Sequence, residues 1–339
     1  MRLLAVESSC DETSVAVLQL EDGRFSLLCH QISSQIEQHR PFGGVVPELA
    51  TRQHLLRLDP MVEEALSLTG CSLNELDGFA VTRGPGLASS LLIGLSYIKG
   101  LAFASGKPWI GVNHLEGHLY SPFLEAGTAP VFPHLGLIVS GGHTQLVAVR
   151  AVGHYERLGS TLDDAAGEAF DKVAKMLGLP YPGGPQLEVL AGKGNPQAFD
   201  LPRSMMESGD LNFSFSGLKT AVRVLLEKNP GIPDSPQGLA DLSASFQAAV
   251  IEVLVSKTQK AARMHGLKVF TISGGVSCNK ALREAMAQMA VKEGLTLHVA
   301  SPVLSTDNAA MIGAAGLLRL AAGERSASEL DVDPNLRLC

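Results

Sequence analysis

Cysteine is sparse in this sequence, and no two cysteines have the C-x-x-C spacing of a cysteine zinc site. The five cysteines are scattered and odd in number, which argues against a disulfide framework and suits a reducing compartment. They are Cys10, Cys29, Cys71, Cys278 and Cys339.

Long apolar runs are also missing. The N-terminal stretch "MRLLAVESSC" has an apolar run of only about five residues, ended by Glu7, which is too short for a signal peptide. The longest apolar stretch, residues 86–106, is interrupted by Lys99 and by several Gly and Ser, so it predicts a buried helix rather than a membrane span. We therefore expect a cytoplasmic protein with no membrane partner.

Positive charge is in deficit, because the formal net charge is −7. The phosphate backbone dominates the affinity of proteins for nucleic acid, so such a chain is a poor nucleic-acid binder on its own. If the protein acts on nucleic acid, a local basic patch or a partner has to supply the positive charge.

Aromatic residues make up only 5% of the chain, whereas glycine occurs 35 times. This composition predicts many tight turns and close backbone approaches, as in nucleotide-binding α/β proteins. With 339 residues, 45% of them apolar, the chain is long enough for a large core, and its length favours two domains.

A strand-turn-strand pattern occurs twice. It opens the chain as "LLAVE-SSCDET-SVAVLQL" and returns about 130 residues later as "LGLIVS-GGHT-QLVAVR". Strands alternate with helices elsewhere, so we expect α/β sheets that bind ligands at the carboxyl ends of their strands. The repeat predicts two related lobes facing a cleft, as in the actin and sugar-kinase nucleotide-binding fold. We predict a first lobe at 1–130, completed by a helix at 307–325, and a second lobe at 131–306 with an inserted loop region at about 193–232.

The stretch "NHLEGH" contains a candidate metal site. His114 and His118 are four residues apart, so on a helix they point the same way and can chelate one metal ion. Glu116 lies about 200° round the helix and faces away. The metalloprotease pattern H-E-x-x-H instead places its glutamate beside the first histidine, where it serves as general base. The spacing thus favours a metal site without a protease base, and the alternative is an ordinary polar helix face.

The histidine pair needs a third ligand. Asp307, in "STDNAAMIGAAG" at the predicted start of the last helix, is the best carboxylate candidate. The same residue would otherwise be an ordinary helix N-cap. His143 is an alternative ligand.

Two tight turns supply candidate anion-binding and acid–base groups. In "IVSGGHTQL", residues 138–146, successive amides of the Ser-Gly-Gly turn can bind a phosphate or a carboxylate, unless this is a plain hairpin turn. The turn "SSCDET" holds the equivalent place in the first lobe, so Asp11 and Glu12 would face the same cleft. There they could hold a metal, act as a base, or simply be solvated.

Two further glycine turns are candidate nucleotide contacts. The stretch "ISGGVSCNKAL", residues 272–282, runs from a strand through two glycines into a helix that begins near Asn279, a junction that favours anions. In "YPGGP", Gly183 and Gly184 could lie flat against a nucleobase, and the preceding Asp171 could reach a ribose. A plain turn after a helix is the alternative for this second stretch.

Taken together, these motifs resemble a known family. In their order along the chain they closely resemble the universal tRNA N6-adenosine threonylcarbamoyltransferase family, formerly labelled O-sialoglycoprotein endopeptidase, over nearly all of residues 1–320. The joint match is highly specific, although no single motif is. The motifs are "ESSCDET", "GGVVPELA", "GPGL", "NHLEGH", "VSGGHTQL", "DDAAGEAFDK", "YPGGP", "FSFSGLKT", "SGGVSCNK" and "TDNAAMIG".

The resemblance implies an actin-like fold of two ribonuclease-H-like lobes around a nucleotide cleft. It implies a divalent metal, iron or zinc, held by His114, His118 and Asp307, and a role for Asp11 in activity. The substrate-binding positions that it implies are Ile138, Val139, Ser140, Gly141, Gly142, Asp171, Gly184 and Asn279.

The reaction implied by the resemblance moves a threonylcarbamoyl group from threonylcarbamoyl-AMP to the adenosine beside the anticodon of tRNAs that read codons starting with A, and AMP leaves. ATP or ADP are further nucleotides that the cleft would bind. The implied partners are tRNA, a paralogous non-catalytic actin-like subunit, a small P-loop ATPase and the enzyme that makes threonylcarbamoyl-AMP. The compact length is typical of bacterial members.

Three other functions stay open on the sequence. A zinc metallopeptidase would need a general base beside the metal, which the spacing does not supply. A small-molecule kinase of the actin-like class would have no obvious use for a histidine pair, since kinases take magnesium on oxygen ligands. The non-catalytic partner subunit resembles the first lobe, but the histidine pair argues against it.

Overall fold

The computed structural model describes residues 1–125 and 128–339, which form two compact units. The predicted second lobe, 131–306, differs from the second unit at three places, because 131–132, 151–155 and 300–306 lie with the first unit. The first unit consists of Met1–Phe132, Ala151–Tyr155 and Ala300–Cys339, and the second of Pro133–Arg150 and Glu156–Val299.

Strands and helices alternate along the chain, as the sequence predicts. Up to residue 125 they are β1 (Arg2–Glu7), β2 (Glu12–Glu21), β3 (Arg24–Ser34), α1 (Ile36–His39), α2 (Pro47–Thr69), β4 (Gly78–Gly84), α3 (Ala88–Ser105), β5 (Trp109–Asn113) and α4 (His114–Glu125). Then follow β6 (His134–Val139), β7 (Thr144–Ala151), β8 (His154–Ser160), α5 (Ala166–Met176), α6 (Gly183–Ala191), α7 (Ser216–Lys228), α8 (Pro236–His265), β9 (Val269–Ser273), α9 (Lys280–Glu293), β10 (Thr296–Val299), α10 (Pro302–Ser305) and α11 (Ala309–Ala321).

The two sheets have the same strand order. The first is β3-β2-β1-β4-β5 and the second is β8-β7-β6-β9-β10. In each sheet the opening strand pairs antiparallel with its hairpin partner on one side and parallel with a later strand on the other. The repeated strand-turn-strand pattern of the sequence therefore corresponds to a repeated sheet topology.

Strand β1 separates two apolar layers of the first unit. Successive side chains of a strand point to opposite faces, and both faces of β1 are buried. Leu4 and Val6 belong to the cluster packed around α2 and α3, whereas Leu3 and Ala5 belong to the cluster packed around α11. A strand covered on both faces reads as a continuous apolar run, which is how "LLAV" appears in the sequence.

Helix α8 runs through the core of the second unit. Its Phe246 lies edge-to-face against Phe170 of α5, with ring centroids 5.1 Å apart. By length and apolar composition α3 and α8 could each cross a membrane, a test that core helices of soluble proteins also pass. Two thirds of the apolar window of α8 (67%) is buried within the protein, as expected for a core helix.

Three local features differ from the sequence-based prediction. Helix α2 continues through Pro60, where a kink or break was expected. Strands β3 and β8 were not predicted, and they extend each hairpin by one more strand. Helix α6 begins at Gly183, inside the stretch interpreted as a turn.

The region predicted as an insertion, 193–232, is irregular up to residue 215 and then forms α7. Asp163 precedes α5 in the sequence, and it stabilises the start of α7 by direct hydrogen bonds. Its carboxylate accepts the backbone N–H of Phe215 at 2.8 Å and the hydroxyl of Ser214 at 2.6 Å. Burial opposes the charged form of Asp163, but these hydrogen bonds outweigh it and lower the pKa of the carboxyl.

Candidate functional site

His114 and His118 lie on the first turns of α4, directly after β5. Both side chains are buried, and their rings meet edge-to-face with centroids 4.8 Å apart. The Oδ1 atom of Asn113 accepts the backbone N–H of Leu115 at 2.9 Å, which is the N-cap role that the sequence predicted for it. The helix therefore starts where the chain leaves the strand, and it presents both imidazoles from one face.

Asp307 is far from the histidine pair in the sequence but lies beside it in the fold. Its Oδ1 lies 3.3 Å from His114 Nε2 and 3.2 Å from His118 Nε2. Asn308 is the N-cap of α11 and accepts the backbone N–H of Met311 at 3.0 Å, so Asp307 is not the cap. One ligand atom from each of His114, His118 and Asp307 lies within 4.8 Å of the other two.

The three side chains fit a divalent metal. The Nδ1 atom of His118 is buried without a hydrogen-bond partner among the described residues, which is costly. Its Nε2 faces the carboxylate of Asp307 at 3.2 Å, where the two side chains can share one ligand. Bonds of about 2.0–2.1 Å in a tetrahedral site separate ligand atoms by about 3.3 Å. The two distances from Asp307 to the histidines, 3.3 and 3.2 Å, are close to this value, and all three ligand atoms lie within 4.8 Å of one another. Two imidazoles and a carboxylate suit zinc, and they are also the donor set of many non-haem iron sites.

A buried glutamate that the sequence analysis did not single out holds His114 from behind. Glu7 Oε2 lies 3.2 Å from His114 Nδ1, and Ser9 Oγ lies 3.3 Å from the same nitrogen. Glu7 is itself oriented by Thr82, whose hydroxyl donates to Oε2 at 2.5 Å. A carboxylate at Nδ1 sets the tautomer of a histidine and directs its Nε2 toward a ligand. The signal in the sequence was a charged residue that closes an apolar strand.

Charges interact strongly within this cluster. Burial disfavours the imidazolium of His114, but Asp307 and Glu7 outweigh it and raise the pKa of His114 well above its usual value. Burial lowers the pKa of His118. The carboxyl of Asp307 would be raised by burial, yet the nearby His114 and His118 hold its pKa well below the usual range. Asp307 is therefore charged, as a carboxylate metal ligand has to be.

Asp11 is a buried residue in the turn between β1 and β2. It follows Glu7 and Ser9, the two residues that contact His114. The turn is held by His54 of α2, whose Nε2 contacts the carbonyl of Cys10 at 2.9 Å and whose Nδ1 contacts Thr13 Oγ1 at 2.8 Å. Ser9 of the same turn contacts His114. His54 lies on the helix that begins within the motif "GGVVPELA", so this helix has a structural role in holding the turn.

Glu116 points away from the two histidines, as its position on the helix predicts. Its Oε1 accepts the hydroxyl of Tyr155 at 2.7 Å, and its Oε2 pairs with Arg319 at 3.3 Å. Burial raises the pKa of the Glu116 carboxyl, although Arg319 opposes that shift. The glutamate is engaged on the opposite side of α4, so it is not placed to act as the base of a metallopeptidase.

In the second unit, the Ser-Gly-Gly turn joins β6 to β7. The backbone N–H of Ser140 donates to the carbonyl of His143 at 2.8 Å, so that amide is used within the turn. A side chain built at Gly141 or Gly142 would meet nothing within 4 Å, so these two glycines are open to a ligand. His143 belongs to the second unit and is outside the group formed by the two histidines and Asp307.

Asp171 and the glycines that follow it are linked at the start of α6. Asp171 Oδ1 accepts the backbone N–H of Gly183 at 2.8 Å and of Gly184 at 3.3 Å. A Cβ atom at Gly183 would lie 2.3 Å from that of Ala174, which explains this glycine by close helix packing. Gly184 has open space by comparison, with its nearest neighbour at 4.0 Å.

Asn279 caps α9, where the sequence placed the start of a helix. Its Oδ1 accepts the backbone N–H of Leu282 at 3.0 Å, and its Nδ2 donates to Gln247 at 2.7 Å. The neighbouring Gly274 has a φ of 90°, and a Cβ there would lie 2.5 Å from the carbonyl oxygen of Val139. The glycine turns after β6 and β9 are thus packed against each other at the carboxyl ends of these two strands.

Comparison with known proteins decides the family. A family model described as TsaD, tRNA N6-adenosine threonylcarbamoyltransferase, matches residues 26–314. A protein of that name from Geotalea uraniireducens is 52% identical over 98% of this chain and 96% of its own length. One from Ralstonia pickettii is 53% identical over 95% of this chain and 92% of its own length, and one from Anaeromyxobacter is 51% identical over 100% of both.

The chain belongs to the tRNA N6-adenosine threonylcarbamoyltransferase family. As a member of this family, the protein is a transferase that modifies tRNA. The family resemblance that the motifs carry is therefore confirmed.

The fold of this family member is also found in solved structures of distant sequence. Full-length HypF in its phosphate- and nucleotide-bound form aligns with a TM-score of 0.64 at 13% identity, over 96% of this chain and 56% of that one. HypF from T. kodakarensis aligns with a TM-score of 0.62 at 17% identity, over 95% of this chain and 48% of that one. The chain spans about half the length of these structures, which support the predicted α/β fold of the actin-like class.

Proposed function

We propose that the protein transfers the threonylcarbamoyl group of threonylcarbamoyl-AMP to the adenosine adjacent to the anticodon of tRNAs that read codons starting with A, and releases AMP. The observation that carries this proposal is the convergence of His114, His118 and Asp307 in a chain about half identical to its relatives over nearly its full length. The acceptor lies in an anticodon loop, where unstacked bases can be reached by a protein.

The chemistry asks for activation of the donor, because the exocyclic amine of adenine is a weak nucleophile. The amine attacks the carbamoyl carbon, the bond from that carbon to the phosphate oxygen breaks, and the amine loses a proton. A divalent metal bound to His114, His118 and Asp307 supplies either a Lewis acid for the donor carbonyl or an anchor for the threonyl carboxylate. Glu7 orients His114 for that role.

Asp11 is the candidate for the proton or for the position of the acceptor base. One contact of its turn, Ser9 to His114, reaches the metal centre, and another, His54 to Cys10, fixes the turn to α2. A carboxylate in such a turn can accept the proton of the amine or hold the base in place.

The glycine loops of the second unit are the candidate donor site. The open space at Gly141 and Gly142 would let a phosphate approach the backbone of this loop, which also contains Ile138, Val139 and Ser140, and the loop would steady the phosphate as AMP departs. Gly184, Asp171 and Asn279 would hold the adenosine. Since Asp171 and Asn279 already make hydrogen bonds within the protein, they would act by fixing the shape of this site as well as by direct contact.

The remaining parts of the proposal follow the family resemblance. The metal is iron or zinc, and ATP or ADP can occupy the donor site. The partners are tRNA, a paralogous non-catalytic actin-like subunit, a small P-loop ATPase and the enzyme that makes threonylcarbamoyl-AMP. The site of action is the cytoplasm. A chain with a net charge of −7 gains tRNA affinity from such partners.

A reconstituted reaction tests the transfer. The protein is mixed with the partner proteins, threonylcarbamoyl-AMP and an unmodified tRNA that reads codons starting with A, and the tRNA is digested and weighed by mass spectrometry. We expect the mass of one threonylcarbamoyl group on the adenosine beside the anticodon. An unchanged tRNA mass with the complete mixture would refute the assignment.

Variants connect the reaction to the metal centre. His118→Ala is expected to lose bound metal and to lower the transfer rate by about 100-fold or more, because a three-ligand site cannot keep its metal on two. His265→Ala, at the end of α8 in the second unit, is the matched control and should keep both. Full metal content in His118→Ala, measured by elemental analysis, contradicts the ligand set.

A further inference from the structure

A cavity of about 540 Å³ lies in the first unit, on the side of α4 that carries Glu116. Its floor is formed by the buried residues Gly111, Asn113 and Glu116, and its side walls include Tyr155 and Arg319. The rim is formed by Arg83 and by the C-terminal segment, in which Arg325 and Arg337 are exposed.

The residues around this cavity carry an excess of positive charge. Arg83, Arg319, Arg325 and Arg337 line it, against Glu116 and Glu324 as the acidic side chains. Both carboxylates are already engaged by Arg319, at 3.3 Å and 2.7 Å respectively. Arg83, Arg325 and Arg337 are thus left without a carboxylate partner among the described residues, in a chain whose net charge is −7.

Several side chains that line this cavity have hydrogen-bond donors with no acceptor among the described residues. Among the described residues, the guanidinium groups of Arg83 and Arg337 make no hydrogen bond or ion pair. Asn113 is 7% exposed, and its Nδ2 is buried without a partner because its Oδ1 is the atom that caps α4. The buried amide of Asn113 calls for an acceptor that the protein itself does not provide. The two more exposed guanidinium groups are available to an anion beside it.

The C-terminal segment that carries Arg337 is held in place by the rest of the unit. The backbone N–H of Asp333 donates to the carbonyl of Arg83 at 2.8 Å, and that of Gly86 donates to the carbonyl of Pro334 at 3.2 Å. A Cβ at Gly84 would lie 1.8 Å from the carbonyl oxygen of Asp333, so only glycine allows this approach. The backbone segments that carry the rim residues Arg83 and Arg337 are therefore held against each other by these contacts.

We propose that this cavity is a binding site for a phosphate group. The guanidinium fork matches phosphate oxygens in pairs, and arginine is the side chain most often used where such pairing matters. The phosphate comes from the backbone of an RNA or from a free phosphate ion. The site is distinct from the metal centre, since Glu116 and the two histidines lie on opposite sides of α4.

Binding of inorganic phosphate to the full-length, metal-loaded protein is the first measurement, by titration calorimetry. We expect saturable binding by the wild type and at least about tenfold weaker binding by the double variant Arg83→Gln/Arg337→Gln, because each loses a charge-assisted contact. Arg24→Gln removes an exposed arginine outside the cavity and is the matched control, which should bind as the wild type does. Circular dichroism verifies that all variants are folded.

The affinity for unmodified tRNA across a series of salt concentrations then identifies the source of the phosphate. If the phosphate belongs to RNA, the plot of log affinity against log salt becomes shallower by about one to two in the double variant and stays unchanged in Arg24→Gln. An unchanged slope with lost phosphate binding assigns the site to a free phosphate. Phosphate binding that is absent in the wild type, or equal in wild type and double variant, overturns the proposal. These outcomes do not depend on the transfer assay, so the two proposals fail separately.

Discussion

His114 is held from both sides of its ring. Its Nδ1 contacts Glu7 and Ser9, and its Nε2 faces Asp307 at 3.3 Å. Because one nitrogen is occupied by a buried carboxylate, the other is left to a ligand in a defined direction. His118 differs, since its Nδ1 finds no partner among the described residues, and only its Nε2 is held, by Asp307 at 3.2 Å.

Glu116 distinguishes two interpretations of the "HLEGH" stretch, a metal site without a protease base and the site of a metallopeptidase. In Glu116→Gln, we expect the metal content to stay at the wild-type level, because the side chain lies across the helix from the ligands. The free energy of unfolding should fall by about 1–3 kcal/mol, since the ion pair with Arg319 is lost in a buried site. Elemental analysis and urea unfolding measure the two quantities.

His118→Ala serves as the reference for metal loss in that experiment. If Glu116→Gln loses its metal to the same extent as His118→Ala, then Glu116 is a ligand and the set of His114, His118 and Asp307 is wrong.

At the scale of elements, α11 depends on two glycines to approach the sheet. A Cβ at Gly313 would lie 2.2 Å from Leu18 Cδ1, and one at Gly316 would lie 2.5 Å from the Cβ of Ala80. These distances are shorter than any real contact. The flexible Leu18 side chain can give way at Gly313, but at Gly316 the helix would have to move away from the sheet if the glycine gained a side chain. The turn that carries Asp307 immediately precedes this helix, which ties the position of the third ligand to the packing of α11.

Gly316→Ala is therefore expected to destabilise the protein by about 1–3 kcal/mol, because Ala80 is part of a strand and cannot turn aside. Gly100→Ala is the matched control on α3, where a Cβ would meet nothing within 4 Å. That variant should gain about 0.4–1 kcal/mol, since alanine restricts the unfolded chain. Urea unfolding of both variants gives the comparison, and equal stability of the two contradicts the packing argument.

At the scale of the whole molecule, each unit has its own sheet and its own apolar core. The candidate metal ligands all belong to the first unit, and the glycine loops proposed for the donor belong to the second. Metal binding should therefore act on the stability of the first unit. The chain has a single tryptophan, Trp109, which is buried in that unit and reports its unfolding.

Addition of zinc at about 100 times its dissociation constant should stabilise the first unit by about 2.7 kcal/mol, because the metal binds the folded site and not the unfolded chain. The measurement is the shift of the Trp109 fluorescence transition in urea, with and without a chelator. His118→Ala should show no shift. A shift of the same size in His118→Ala would place the metal elsewhere.

Much of this architecture could be predicted from local sequence. The two hairpins, the strand β5, the long helix α8 and the cap at Asn279 follow from apolar periodicity and from capping residues, which act over a few residues. Strands β3 and β8 were missed because many of their residues are exposed and polar, which weakens the alternation that identifies a strand. Helix α2 continues through Pro60 although proline disfavours a helix interior, since its buried face packs on the sheet.

The candidate site could likewise be predicted only in part from local sequence. Local sequence was enough to predict that His114 and His118 share one face of a helix and that Glu116 does not, because helical periodicity decides that within one turn. Packing of distant segments was needed to bring Asp307 to 3.2 Å from His118 and to place Glu7 behind His114. Those contacts depend on how α4, α11 and β1 pack, which no local propensity specifies. The cavity proposed to bind phosphate has the same origin, since Arg83 and Arg337 line it together only because the C-terminal segment lies against the "GPG" turn.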